Sequence, residues 1–201
     1  MREYVYIWNN PNKNYIIASG IEFKDIVSID KNKNYLLLSH ESEIAEYDLN
    51  TRFDYIRSNK IDGLLKEDIY SFGNFSWVPY TGEILPILSK KTVAELLYFN
   101  HITEPFDKII FEELLNEYLA FAHDDGWFLK MYYDNFQFIN KILEKINKKF
   151  SCYINTSEFQ KGLYAYWIDK NGIETEIISD DIDKILNKRK WKHRCPYIFK
   201  R

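Results

Sequence analysis

Hydrophobic and polar residues alternate toward both ends of this chain and recur every three or four positions through its middle. Glu3 to Trp8 alternates as a strand with one buried face does, and Asn9-Asn10-Pro11-Asn12 follows as a turn cluster. Tyr15 to Ala18 and Tyr35 to Ser39 are short apolar runs bounded by Asn, Lys and Gly, with weaker strand candidates at Ile44 to Leu49 and Phe53 to Ile56. The first third therefore predicts strands joined by short connections. In an aromatic block from Asp68 to Val78, the rings of Tyr70, Phe72, Phe75 and Trp77 change phase across Gly73-Asn74, as a bulge or tight turn requires. Pro79 to Pro86 reads as an irregular connection.

Helical spacing follows. Thr92-Val93-Ala94-Glu95 has the spacing of a capping box and predicts a helix to about His101. Pro105 interrupts, and Asp107 can cap a second helix carrying Ile110, Leu114 and Tyr118. Leu119 to Ala122 and Trp127 to Tyr133 flank His123-Asp124-Asp125-Gly126 and predict an antiparallel hairpin. Asp134 and Asn135 then cap a helix with Phe138, Ile139, Ile142, Leu143 and Ile146 on one face. Leu163 to Ile168, the turn Asp169-Lys170-Asn171-Gly172 and Ile173 to Ile178 read as strand, turn and strand. Asp180-Asp181 caps a short helix leading into a basic tail. The pattern predicts an α+β fold: a mixed or mainly antiparallel sheet with three or four packed helices, one domain over 1–187 followed by a basic aromatic tail at 188–201.

Composition narrows the class. At 201 residues, 46% hydrophobic and 28% charged, the chain can bury a substantial core and is not of the disordered type. Its 16 Tyr, 14 Phe and 5 Trp suit either a ring-filled core or aromatic anchors for a partner. The N-terminus lacks a signal-peptide layout, and no stretch approaches the roughly 18 apolar residues of a membrane span. Cys152 and Cys195 are too few and too separated for a disulfide framework, so the expectation is a cytoplasmic protein with free thiols.

Charge is unevenly spread. The net charge is −3, yet the last 14 residues hold seven Lys and Arg with no acid, leaving 20 basic against 30 acidic residues in the remainder. Such a split suits contact of the tail with its own acidic body, or a basic arm for an anionic partner.

The densest chemistry lies in Ala122-His123-Asp124-Asp125-Gly126-Trp127-Phe128. Imidazole and carboxylates suit a transition metal, which makes His123, Asp124, Asp125 and His101 candidate ligands, with His40, Glu112 and Glu113 more remote. A metal-dependent hydrolase is the enzymatic alternative that follows. No HExxH or CxxC accompanies them, and the same residues satisfy a hairpin turn in which Asp side chains bond backbone amides. Adjacent strand residues point to opposite faces, so His123 and Asp124 form no His–carboxylate pair without turn geometry. No glycine-rich phosphate loop is present, so no cofactor is expected. In the tail, Lys188, Arg189, Lys190, Trp191, Lys192 and Arg194 interleave cations with a ring. That combination can neutralise phosphates and stack on bases, although the acidic remainder would repel a polyanion.

The order Tyr70-Ser71-Phe72-Gly73-Asn74-Phe75-Ser76-Trp77-Val78, then Glu95-Leu96-Leu97-Tyr98-Phe99-Asn100-His101, then Ala122 to Phe128 resembles a group of small uncharacterised soluble proteins from Bacillus-type Firmicutes. The resemblance covers roughly residues 68–140. It implies an architecture and carries no catalytic residues.

The leading functional expectation is a non-enzymatic protein-binding domain, specifically an immunity- or antitoxin-like protein. Its acidic aromatic face would capture a basic partner, with steering by charge and most of the energy from a few rings. The candidate contacts are Glu41, Glu43, Glu46, Asp48, Asp54, Trp77, Asp124, Asp125 and Trp127.

Overall fold

The computed structural model describes residues 5–39, 42–67, 75–101, 109–123, 128–161, 164–169 and 172–178. In chain order the elements begin with strands β1 (Val5–Asn10) and β2 (Tyr15–Ser19), helix α1 (Phe23–Val27), and strands β3 (Asn34–Leu37), β4 (Glu46–Tyr47) and β5 (Asp54–Ile56). Helix α2 (Ile61–Leu64), strand β6 (Phe75–Tyr80) and helix α3 (Lys90–His101) follow, then the β7 (Tyr118–His123) and β8 (Phe128–Tyr133) pair. Helices α4 (Phe136–Phe150) and α5 (Thr156–Lys161) and strands β9 (Tyr164–Asp169) and β10 (Gly172–Ile178) complete the described chain. The strands form one sheet in the order β10-β9-β1-β2-β8-β7-β6-β3-β5-β4. Every neighbouring pair is antiparallel. The fold is α+β.

Strand alternation sends side chains to two separate cores. Ile7, Ile16, Ala18, Tyr35, Leu37, Phe75, Trp77, Ala120 and Met131 face one way and meet α1, α2, α4 and α5. Trp8, Tyr15, Leu36, Val78, Tyr80, Leu119, Phe121 and Tyr132 face the other way and meet α3 and the irregular segments around Leu85, Leu88, Phe111 and Leu114. The sheet is thus the middle of three layers, and its central strands are buried on both faces.

Helix α4 is the most sequence-determined element. The Asn135 side chain accepts from Gln137 N at its start, Phe138, Ile139, Ile142, Leu143, Ile146 and Phe150 are buried, and Ser151 ends it in the left-handed region at φ 50°. The β7–β8 and β9–β10 hairpins also form as expected, with His123 opposite Phe128 and Asp169 opposite Gly172. The expected connection from Pro79 is corrected, because Pro79 and Tyr80 continue β6 against β3. Pairing of β6 with β7 stops at Trp77, so the missing Pro79 amide interrupts no ladder on that side.

Three helix expectations change. Helix α3 starts at Lys90, and its cap is Ser89, whose Oγ accepts from Thr92 N at 3.2 Å; Thr92 is the third helical residue. The helix expected to carry Ile110, Leu114 and Tyr118 is absent from the described residues 109–118, which make turns and enter β7. There the Asn116 side chain accepts from Phe111 N at 2.8 Å and donates to the carbonyls of Ile109 at 3.0 Å and Tyr118 at 3.2 Å. This buried amide replaces helical bonding with a closed loop. The short helices α1, α2 and α5 bring the described α-helices to five. No helix among the described residues is long and apolar enough to cross a membrane.

Candidate partner-binding surface

Three connections lie over the α3 face of the sheet, and polar side chains tie them together. In the β4–β5 connection, Asp48 accepts from Thr51 N at 2.7 Å while Asp48 N donates to Phe53 O, and Arg52 takes a left-handed φ of 60°. Neighbouring Asn50 donates from Nδ2 to Leu85 O at 2.8 Å and to Leu88 O at 3.4 Å, which docks this turn on the segment leading to α3. Glu113 then joins that segment to the loop before β7. Its carboxylate accepts from Ser89 N at 2.8 Å, Ser89 Oγ at 2.9 Å and Thr92 Oγ1 at 2.6 Å.

Each connection buries part of itself and exposes one aliphatic side chain. Phe53, Leu85, Leu88, Phe111 and Leu114 point into the core, whereas Leu49 is 86%, Ile87 78% and Leu115 64% exposed. Leu49 adjoins Asn50, Ile87 lies between the two carbonyls that Asn50 grips, and Leu115 is two residues from Glu113, so each stands next to a bond that ties two of the connections together. Leu115 is held at φ 52°, a region costly for a side chain with a Cβ. Helix α3 extends the same exposure with Leu97 and Tyr98, while its Leu96 and Phe99 are buried. These aliphatic side chains stand in water beside hydrogen-bonded loops.

Two of these loops are acidic, while α3 opens beside them with the exposed cations Lys90 and Lys91. Residues 43–54 hold Glu43, Glu46, Asp48 and Asp54 against Arg52, and residues 109–117 hold Glu112, Glu113 and Glu117 with no cation. Glu46 is locally neutralised. It accepts from the Tyr55 hydroxyl at 2.7 Å and pairs with Arg57 Nε at 3.2 Å and Lys60 Nζ at 2.9 Å, and these bonds, the Tyr55 bond foremost, hold its carboxyl down at about 2. Arg57 also pairs with Glu83 at 2.7 Å, and Lys33 lies 3.7 Å from Glu117.

The candidate contacts inferred from sequence divide accordingly. Trp77 is corrected: it is fully buried, edge-on to Phe23 at 4.8 Å and stacked on Phe75 at 5.0 Å, with Nε1 donating to the Tyr118 hydroxyl at 3.4 Å. Its ring fills the core beneath α1 and presents nothing to a partner. Glu43 is exposed, Glu46 sits in its ion-pair network, Asp48 shapes the turn below Leu49, and Asp54 is half-buried on β5 opposite Leu37 and Tyr47. Glu41, Asp124, Asp125, Trp127 and His40 lie outside the described residues, as do the side chains of His101 and His123 and all of Lys188, Arg189, Lys190, Trp191, Lys192 and Arg194. Among the described residues, no group of three or more His, Cys, Asp and Glu is placed to hold a metal.

Sequence reasoning missed Leu49, Ile87, Leu97, Tyr98 and Leu115. Each reads as an ordinary core candidate, and only the neighbouring buried residues show that its place inside is already taken. On the opposite face, a shallow cleft lined by Gly20, Ile21, Asp25, Ile142, Lys145, Ile146, Lys149 and Phe150 has room for about one water, too little for an organic ligand.

Comparison with known proteins finds no matching family model, no matching curated protein and no matching solved structure.

Proposed function

We propose that this chain is a non-enzymatic protein-binding domain that captures a basic protein partner on the α3 face, an immunity- or antitoxin-like role being its specific form. The observation that carries this reading is the display of Leu49, Ile87 and Leu115 on loops pinned by Asn50, Glu113 and Asn116. Burying one such side chain on a partner is worth about 1.5–3 kcal/mol by transfer. The pinned loops limit the ordering cost of binding. The carboxylates of 43–54 and 109–117 supply the charge that attracts a cationic surface and speeds encounter.

The test is affinity capture from native extract, with the full chain and its Ile87→Lys/Leu115→Lys variant compared at low and high salt. Both substitutions fall on exposed side chains and reverse the chemistry of the surface. The reading expects a basic protein that the parent chain retains, that salt releases and that the variant fails to hold. Equal retention of the same proteins by parent and variant would exclude this surface as the working one.

A further inference from the structure

Helices α3 and α4 cover opposite faces of the sheet and meet water differently. The outward positions Gln137, Lys141, Glu144 and Lys148 of α4 are all polar. Helix α3 buries Thr92, Leu96 and Phe99 and turns Lys90, Lys91, Ala94, Leu97 and Tyr98 outward. At 3.6 residues per turn Ala94 lies at the centre of that outer side, with Lys90 and Leu97 to one side of it and Lys91 and Tyr98 to the other. Beyond Lys91 the ridge is apolar, and the charge nearest it there is half-buried Glu95, which pairs with Lys91 at 4.0 Å. A helix that is apolar outward as well as inward lacks the polar face of a surface helix and calls for cover.

The ridge complements itself. Its first turn is cationic and its later turns are apolar, so a second α3 running antiparallel sets each half against its counterpart. A crossing at Ala94 puts Tyr98 of one copy over Lys91 of the other, ring against ammonium, and lays Leu97 along the stem of Lys90. Ala94 carries no side chain beyond Cβ, so the axes can approach to about 8 Å. The two copies of Lys91 then stand about 9 Å apart along the axis and those of Lys90 about 12 Å. These separations are about the screening length of physiological salt, whereas a parallel pair would set the cations side by side. The other charges near the start of α3 are Glu113, bonded to Ser89 and Thr92, neighbouring Glu112, and Arg52 two residues from Asn50. Lys90 and Lys91 make the ridge a part of this face that disfavours a basic protein, so its occupant differs from the partner of the loops.

We propose that the outer ridge of α3 is the contact of a two-fold homodimer, the two helices crossing antiparallel at Ala94. The contact is made by Lys90, Lys91, Ala94, Leu97 and Tyr98 and does not rest on the reading of Leu49, Ile87 and Leu115. A helix of 12 residues is about 18 Å long. A contact of that length falls short of the roughly 1,000 Å² that a stable interface buries, so the dimer is reversible and forms with rising concentration.

Sedimentation velocity of the full chain over a concentration series tests the association, and disulfide trapping tests its geometry. The mean mass is expected to rise from one chain toward two. Ala94→Arg sets a long cation at the crossing on an exposed position, and its mass should stay at one chain with an unchanged circular dichroism spectrum. In a Cys152→Ser/Cys195→Ser background, Ala94→Cys should link two copies under mild oxidation. Tyr98→Cys should not, because its two copies lie about 12 Å apart along the axis, beyond the roughly 7 Å that a disulfide spans. A mass of one chain at every concentration would overturn the proposal and leave the ridge to a different protein. A dimer indifferent to Ala94→Arg would overturn it too, as would trapping by Tyr98→Cys equal to that by Ala94→Cys. If Ala94→Arg disturbs the fold, the trapping pair decides alone.

Discussion

The Glu113 carboxylate accepts the Thr92 hydroxyl at 2.6 Å, and through this bond the loop before β7 caps the first turn of α3. With Ser89 donating to the same carboxylate from both its amide and its hydroxyl, three donors at a helix start find one charged acceptor. Glu113→Ala should cost about 1–2 kcal/mol, the size of a lost helix cap together with a charged hydrogen bond. Urea unfolding would show a lower midpoint with unchanged slope. An unchanged midpoint would mean that Ser89 caps α3 unaided.

Leu115 bears two costs that nothing else in the described chain returns to it: a left-handed backbone and an aliphatic group in water. Asn tolerates that backbone and is polar. Leu115→Asn should therefore stabilise the free protein by roughly 0.5–1 kcal/mol while weakening capture of the partner. A side chain kept for packing would behave in the opposite way. A lower melting temperature for Leu115→Asn would refute the display argument.

Inside the other core, Tyr133 donates its hydroxyl to Asn9 Oδ1 at 2.9 Å, and Asn9 Nδ2 donates to Phe159 O at 2.7 Å. These bonds join β8, β1 and α5 around a fully buried amide. Tyr133→Phe should cost about 1–2 kcal/mol by orphaning one acceptor, and Asn9→Ala about 2–3 kcal/mol. The double variant should cost less than the sum, since the pair acts as a unit, and a double-mutant cycle in urea would measure the coupling. Strict additivity would show that the bond contributes nothing of its own.

What the sequence disclosed follows from where each decision is made. Helix α4 was legible because its cap and its buried stripe are both local to 135–146. The β7–β8 and β9–β10 hairpins were legible for the same reason. The region 109–118 was not, because apolar spacing there fits a helix while the outcome depends on Asn116 closing a loop. Trp77 was taken for a partner contact because a Trp in an aromatic block has no sidedness until β3 and β7 pair on either side of it. The surface at Leu49, Ile87 and Leu115 was illegible on deeper grounds. Exposure of an aliphatic residue is decided by which neighbours have already filled the interior, and these sites come from three segments far apart in the chain.

Alkaline pH offers a test of the buried rings. Burial raises the phenol of Tyr133 to about 12, and burial also raises Tyr35, Tyr80 and Tyr118. The unfolded chain ionises these groups near their ordinary value of 10.0. Each folded value lies above the unfolded one, so the stabilisation is complete below about pH 10 and is lost as pH rises toward the folded values. The urea midpoint should hold level to about pH 9 and then fall with increasing steepness up to pH 12, where the unfolded state has shed more protons. Tyr133→Phe removes one of the titrating groups, so its curve should fall less steeply than the parent's from a lower starting stability. A midpoint that stays flat between about pH 10 and 12 would show that these hydroxyls ionise in place, and that they are far better hydrated than their positions in the two cores allow.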